Sequence, residues 1–221
     1  MIVTIDGPAG AGKSTVARLL AQRLEFQFLD TGALYRTVAY AALRDGVAAD
    51  DEPRLQDLLG GLQPELDGSR VRLEGVDVTQ AIRTPEITRL VKEFAESAPV
   101  REFLTARSRA IGVLRDTVTE GRDQGTVVFP EAECKFFVTA DETARARRRW
   151  EDLKARGIDV PFERLVAEQA ERDARDSGRS LAPLVQAADA ERIDTTSLAI
   201  PAVVDLLEAK VRARMPGRRP A

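Results

Sequence analysis

Between a short β-branched run and an amphipathic segment, the chain carries Gly7-Pro8-Ala9-Gly10-Ala11-Gly12-Lys13-Ser14. The run before it, Ile2-Val3-Thr4-Ile5, has the composition of a buried strand. Asp6 leads from that strand into the glycines. The segment after it, Thr15 to Leu24, places Val16, Leu19, Leu20 and Leu24 on one side of a helix. A G-x-x-x-x-G-K-[ST] stretch with a strand before it and a helix after it is a phosphate-binding loop. Gly7, Gly10 and Gly12 allow backbone angles at which successive N–H groups turn inward towards phosphate oxygens. The following helix adds the positive end of its dipole. Lys13 supplies a mobile cation for the outer phosphates, and Ser14 offers a hydroxyl to a phosphate-bound magnesium ion. Gly7, Gly10, Gly12, Lys13, Ser14 and Thr15 are therefore the candidate donor-binding residues. The motif specifies a nucleoside triphosphate and leaves the phosphoryl acceptor open.

At 221 residues the chain is long enough for one medium domain with insertions. Its 33 Lys+Arg against 36 Asp+Glu give a net charge of −3, which argues against a general binder of polymeric nucleic acid. Positive charge must then be concentrated locally if polyanions bind. The single cysteine, Cys134, fits a reducing compartment and reads as a buried, inert thiol. There is no histidine, hence no imidazole acid–base pair and no His-ligated metal. No apolar run is long enough to span a bilayer, and the chain opens directly on a strand, so no signal peptide is expected. The expectation is a soluble, cytoplasmic monomer.

Strand-like and helix-like stretches alternate along the chain. Glu25 to Asp30 reads as a strand, Ala33 to Arg44 as a helix stopped at Asp45-Gly46, and Pro53 to Leu62 as a second helix. Residues 65 to 79 alternate apolar and polar, with turns at Asp67-Gly68 and Glu74-Gly75, and predict a small antiparallel meander inserted in the alternation. Thr84-Pro85-Glu86 opens a helix towards Ser97, and Pro99 starts another that runs to about Leu114. Strands are predicted at Thr117–Glu120, Cys134–Val138 and Arg192–Thr195, and helices at Asp141–Arg156, Pro161 to about Arg175, and Ile200–Arg214. The tail from Pro216 to Ala221 is expected to fray. The alternation predicts a parallel sheet with helices on both faces, and ligands at the carboxyl ends of its strands.

Phosphoryl transfer between two nucleotides brings many negative charges together. Arginines from separate segments are the expected answer, because guanidinium binds phosphate bidentately. Arg36 lies one helical turn past Asp30-Thr31-Gly32. Arg122 sits on a strand end between Gly121 and Gly125, where glycines point to close backbone approach to a ligand. Arg172, Arg175 and Arg179 lie in an alternating-charge run that reads equally well as a salt-bridged helix face. Arg145, Arg147, Arg148 and Arg149 read either as part of a lid over the triphosphate or as a basic face paired with Glu142 and Glu151. Trp150 and the phenylalanines read as core.

Taken together, these stretches resemble the bacterial cytidylate kinase family over nearly the whole length. The pieces that carry the resemblance include Ile5 to Ser14, Asp30-Thr31-Gly32-Ala33-Leu34-Tyr35-Arg36, and Leu73 to Thr79 with Ile82 to Glu86. Gly121-Arg122-Asp123-Gln124-Gly125-Thr126-Val127-Val128-Phe129-Pro130 and the Arg172, Asp176, Arg179 run complete them. The resemblance implies an α/β fold: a P-loop kinase core with a parallel sheet flanked by helices, a small antiparallel β insertion and a helical lid. It implies one kinase domain over residues 1–221, with a monophosphate-binding insertion at about 36–104 and a lid at about 148–170. ATP with Mg²⁺ would be the donor, and CMP or dCMP the acceptor. Arg36, Arg122 and Arg179 would hold the acceptor phosphate with Thr31 nearby, and Arg172 and Asp176 the sugar. Lys13, Arg122 and Arg179 would be catalytic, and Ser14 would help hold the metal. Arg101 and Asp123 would face the cytosine. That last pairing makes chemical sense, since an arginine donates to O2 and N3 while a carboxylate accepts from the N4 amine. Uracil presents an oxygen there, which Asp123 repels.

The chain departs from the family pattern at Lys92, where the register places a serine that contacts the base, and at Ala98, where it places a proline. Ser108 stands where a glutamine is common. The other readings of the residues are a P-loop kinase of UMP, AMP, a sugar or a shikimate-like acid, and an ATP-dependent switch with no acceptor.

Overall fold

A computed structural model describes residues 1–68, 70–155 and 157–215. The backbone divides into two bodies, one of residues 1–28 with 116–221 and the other of residues 29–115.

The first body opens with strand β1 (Ile2–Asp6), the glycine loop and helix α1 (Lys13–Leu24). Helix α1 ends at Glu25, which takes a left-handed conformation (φ 58°) so that its N–H reaches the carbonyls of Ala21 and Gln22. This turn consumes the first two residues of the predicted strand, and β2 (Gln27–Asp30) starts later. Strand β2 leads into the second body. There, helix α2 (Thr31–Asp45) begins at once, because the Asp30 carboxylate caps the Ala33 amide at 2.8 Å. Gly46, in a left-handed conformation, stops it as expected. Helix α3 (Glu52–Gly61) is followed by the meander β3 (Pro64–Asp67), β4 (Arg70–Leu73) and β5 (Val76–Asp77), paired antiparallel. A single 3₁₀ turn (Ala81–Arg83) precedes α4 (Pro85–Phe94). Thr84 caps α4 through Ile87 N–H, the sequence signature read above. Helix α5 (Ala98–Gly112) closes the second body's secondary structure, and Leu34, Leu55, Ile82, Ile87 and Val100 are buried within that body.

The first body resumes with β6 (Thr117–Gly121), β7 (Cys134–Thr139), α6 (Glu142–Ala155), α7 (Phe162–Gly178), β8 (Glu191–Asp194) and α8 (Ile200–Ala213). The sheet order is β2-β6-β1-β7-β8, with β1 parallel to both β6 and β7, and β7 parallel to β8. The glycine loop thus springs from the central strand of the parallel sheet that the alternation predicted. Val3, Ile5, Leu20, Phe136, Val204 and Leu207 form part of the core that welds α1 and α8 to this sheet. Side chains of this kind stabilise by about 1.5–3 kcal/mol each when fully buried. Cys134 belongs to the same core, and burial pushes its thiol up, in keeping with an inert group.

Three further features differ from expectation. Residues 124–128, which continue from the glycine-flanked strand end at Gly121–Gly125 and for which no helix is predicted, form a π-helical turn closed by Val128 N–H to Asp123 O (3.1 Å) and Phe129 N–H to Gln124 O (2.7 Å). Helix α7 continues to Gly178, beyond Arg175. Trp150 is not core; it is half-buried on α6 with the Lys154 ammonium 4.7 Å from its ring centre. Arg156, at the predicted end of α6, and the tail expected to fray, Pro216 to Ala221, lie outside the described residues.

Candidate active site

Gly7, Gly10 and Gly12 all carry positive φ, at 146°, 77° and 86°. Gly7 tolerates nothing else, because a Cβ there would lie 1.9 Å from the carbonyl oxygen of Val138 on β7. Lys13 begins α1, is buried, and donates to Pro8 O within the loop at 2.8 Å. Burial, reinforced by the positive charge of Arg122, pushes its ammonium down to about 7. Ser14 and Thr15 are exposed at the start of the helix, and the Ser14 hydroxyl donates to Glu120 Oε1 at 2.9 Å. The residue reading above did not single out Glu120. Its signal was an acid ending a strand, legible only once β6 is known to lie beside β1.

The loop is braced from behind by α6 and α7. Ala9 O accepts from Arg145 Nη1 at 3.0 Å and from Gln169 Nε2 at 2.6 Å. Arg145 is buried, and also donates to Ala140 O and to Asp173. Arg148 donates to Thr195 O, and Arg149 lies 4.0 Å from Glu168. For Arg145, Arg148 and Arg149 these are the partners found among the described residues, in place of the alternative pairing with Glu142 and Glu151. Arg145 belongs to the loop's support, so the four arginines do not form one face.

A cationic cluster lies in the same body. The extra turn of α7 sets Arg172 and Asp176 four residues apart on one side of the helix. Asp176 accepts from Arg122 Nε at 2.6 Å and from Arg179 Nη2. Burial works to raise the Asp176 carboxyl, but Arg122, by charge and hydrogen bond, and then Arg179 and Arg172 hold it below its usual value. Arg172 keeps a solvent-exposed surface; desolvation by its surroundings, then the charge of Arg122, push its guanidinium down without discharging it. Arg175 is outside the cluster and pairs with Glu171. Asp123 is buried and follows Arg122 at the entry to the π turn.

The second body carries the other candidates. Thr31 is buried at the start of α2. Arg36 folds back over Gly32, where a Cβ would lie 3.3 Å from its Nη1, and sits 3.5 Å from Asp30. Arg83 also approaches Asp30 at 3.5 Å. Arg101 is buried on α5, donates to Ala95 O at 2.9 Å, and lies 5.9 Å from the centre of the Tyr35 ring. Lys92 and Ala98 are both exposed.

A glycine loop after the central strand of a parallel sheet, a lysine and serine at the following helix, and guanidinium groups gathered in the same body define a P-loop phosphotransferase. Comparison with known proteins narrows the class. The profile of a family described as cytidylate kinase matches residues 3–213. A cytidylate kinase from Syntrophotalea carbinolica is 48% identical over 218 residues, covering 97% of this chain and 93% of the relative. One from Bacillus subtilis is 46% identical over 212 residues, covering 94% and 95%. The crystal structure of an uncharacterized protein from Eubacterium ventriosum shares the fold, with a TM-score of 0.53 at 12% identity, over 96% of this chain and 98% of that one. The chain belongs to the cytidylate kinase family.

Proposed function

We propose that the protein transfers the γ-phosphoryl group of ATP to CMP or dCMP, giving ADP and CDP or dCDP. The observation that carries this reading is the gathering of Arg122, Arg172 and Arg179 around Asp176 in the body that holds the phosphate-binding loop. An ATP-driven switch has no use for such a second anion pocket. The names of the relatives supply the acceptor class.

In this reading the loop amides and Lys13 hold the donor phosphates. A buried lysine whose ammonium is pushed down to about 7 becomes fully charged beside a polyanion. Arg122 and Arg179 are assigned to the acceptor phosphate, and Arg172 with Asp176 to the sugar. Asp123 is assigned to the cytosine N4 amine. In the second body, Arg36 and Thr31 are assigned to the acceptor phosphate and Arg101 to the base. A phosphate oxygen of CMP, already ionised at neutral pH, attacks the γ-phosphorus of ATP. The bond from that phosphorus to the β–γ bridging oxygen breaks, and ADP leaves. No general base is needed, so positioning and charge neutralisation do the catalytic work.

Mg²⁺ would neutralise the donor phosphates. Ser14 Oγ and the Glu120 carboxylate, in contact at 2.9 Å, are hard oxygen ligands suited to it or to its waters. Among the described residues there is no cluster of three or more His, Cys, Asp or Glu, so phosphate and water oxygens would complete the shell. We take residues of about 148–170 as a lid over ATP and of about 36–104 as the monophosphate-binding insertion, and the enzyme as a cytoplasmic monomer.

The test is ADP release from Mg-ATP with CMP, dCMP, UMP, dUMP, AMP or GMP, against a control without acceptor. Fast turnover with CMP and dCMP supports the assignment and shows that Lys92 is compatible with it. Turnover that no monophosphate stimulates refutes it.

A further inference from the structure

Asp6 ends the central strand, immediately before Gly7, and none of the roles above uses it. Only 5% of it is exposed. Its two carboxylate oxygens are divided between two consecutive amides of a distant segment. Oδ1 accepts from Gln124 N–H at 2.9 Å, and Oδ2 from Gly125 N–H at 2.7 Å. Those amides open the π turn that follows Arg122 and Asp123. The opening amides of a helical turn have no partner inside the turn, and when buried they must find one elsewhere. Asp6 serves both.

The contact is close and specific. A Cβ on Gly125 would lie 3.0 Å from Thr4 Oγ1 and 3.4 Å from Asp6 Oδ2, so the turn rests directly on β1. Gln124 is buried as well, and its Oε1 accepts from Thr119 Oγ1 on β6 at 3.0 Å. The dipeptide Arg122-Asp123 is thereby held at both ends. On one side, β6 is in register with β1, with Gly121 opposite Asp6. On the other, the carboxylate of Asp6 clasps the next two residues. Burying this carboxylate has a cost, since burial pushes it up to about 6 against the pull of the two amides. A hydroxyl or an amide side chain would avoid the cost, yet neither offers two acceptor oxygens to two parallel N–H groups.

We infer that Asp6 is a positioning residue for the acceptor nucleotide: it sets Arg122 and Asp123 by accepting the amides of Gln124 and Gly125. The inference rests on the assignment of Arg122 and Asp123 to the acceptor.

Asp6→Asn keeps the shape but turns an NH₂ group towards one of the two amides. The Michaelis constant for CMP is expected to rise about tenfold or more, as for loss of a charge-assisted hydrogen bond. The preference for CMP over UMP should shrink with it, while the Michaelis constant for ATP stays within about twofold. Gly125→Ala provides a second route, because it pushes the turn off β1 and leaves Asp6 intact. It is expected to give the same CMP-selective loss, and it decides the matter if Asp6→Asn does not fold by circular dichroism. Wild-type constants in a folded Asp6→Asn, or equal losses towards ATP and CMP in either variant, overturn the inference. Arg122→Ala in the same assay separates the two levels. If it leaves CMP untouched, the acceptor assignment itself has failed. If it weakens CMP while Asp6→Asn and Gly125→Ala do not, only the role of Asp6 has.

Discussion

Replacing Lys13 by methionine separates what the ammonium does for phosphate from what it does to the fold. Lys13 is pushed from 10.5 down to about 7, chiefly by burial. The unfolded chain therefore binds more protons than the folded one between pH 7 and 10.5. The destabilisation is fully present below pH 7 and is lifted as pH rises towards 10.5. At about 1.36 kcal/mol per pKa unit, the whole effect is roughly 5 kcal/mol. Methionine has similar length and no charge to bury, but it forfeits the hydrogen bond to Pro8 O, worth about 1.5–3 kcal/mol for a charged donor. Lys13→Met should thus be more stable than the parent by roughly 2–3 kcal/mol at pH 6. Between pH 6 and pH 9 that advantage should shrink by about 3 kcal/mol, because the lysine progressively discharges. Urea unfolding at both pH values, without nucleotide, measures this double difference. The same variant should lose about a hundredfold to a thousandfold in phosphoryl transfer, the scale on which charge-stabilising groups act. A pH-independent stability gap would show that the buried ammonium is not the source of the strain. Wild-type turnover would remove Lys13 from the donor site.

Arg179→Ala removes one of the two guanidinium partners of Asp176 and should lower kcat/KM for CMP by about a hundredfold or more in steady-state assays, with little change in the Michaelis constant for ATP. Asp123→Asn presents an amide that can donate as well as accept, so the ratio of kcat/KM for CMP over UMP should fall by about tenfold or more; an unchanged ratio would take the base assignment away from this carboxylate. Trp150 is the sole tryptophan and lies half-buried on α6, so its fluorescence should shift when ATP is added if the lid assignment holds. A titration with no spectral change in a protein that binds ATP would argue that α6 stays in place.

What was legible in the sequence was local. The glycine loop needs only its own residues and flanks, so Gly7 to Ser14 could be placed at once. The Thr84-Pro85 cap and the Asp67-Gly68 and Glu74-Gly75 turns are likewise decided within four residues. The π turn was not legible because its anchor, Asp6, lies 118 residues away in sequence from Gln124. Arg145 reads as a surface cation until Ala9, 136 residues earlier, is seen to accept from it. The alternating charges near Arg172 left two readings balanced. Only the partners separate them: Asp176 is buried against Arg122, from a segment 54 residues away, while Arg175 pairs with Glu171 on its own helix. Helix α1 ends without glycine, so the left-handed Glu25 gave no compositional warning.

Asp176 has a consequence for how the enzyme meets a salty solution. Three guanidinium groups in an empty pocket would ordinarily condense anions from the medium, and an incoming nucleotide would have to displace them. Here one carboxylate of the chain holds two of those groups and shares the field of the third. It serves as a resident counterion that cannot diffuse away. If these arginines hold the acceptor as proposed, it competes in part with a tethered ligand whose effective concentration is fixed by the fold, and less with bulk chloride or phosphate. Acceptor capture should accordingly lose less to rising ionic strength than the number of arginines implies.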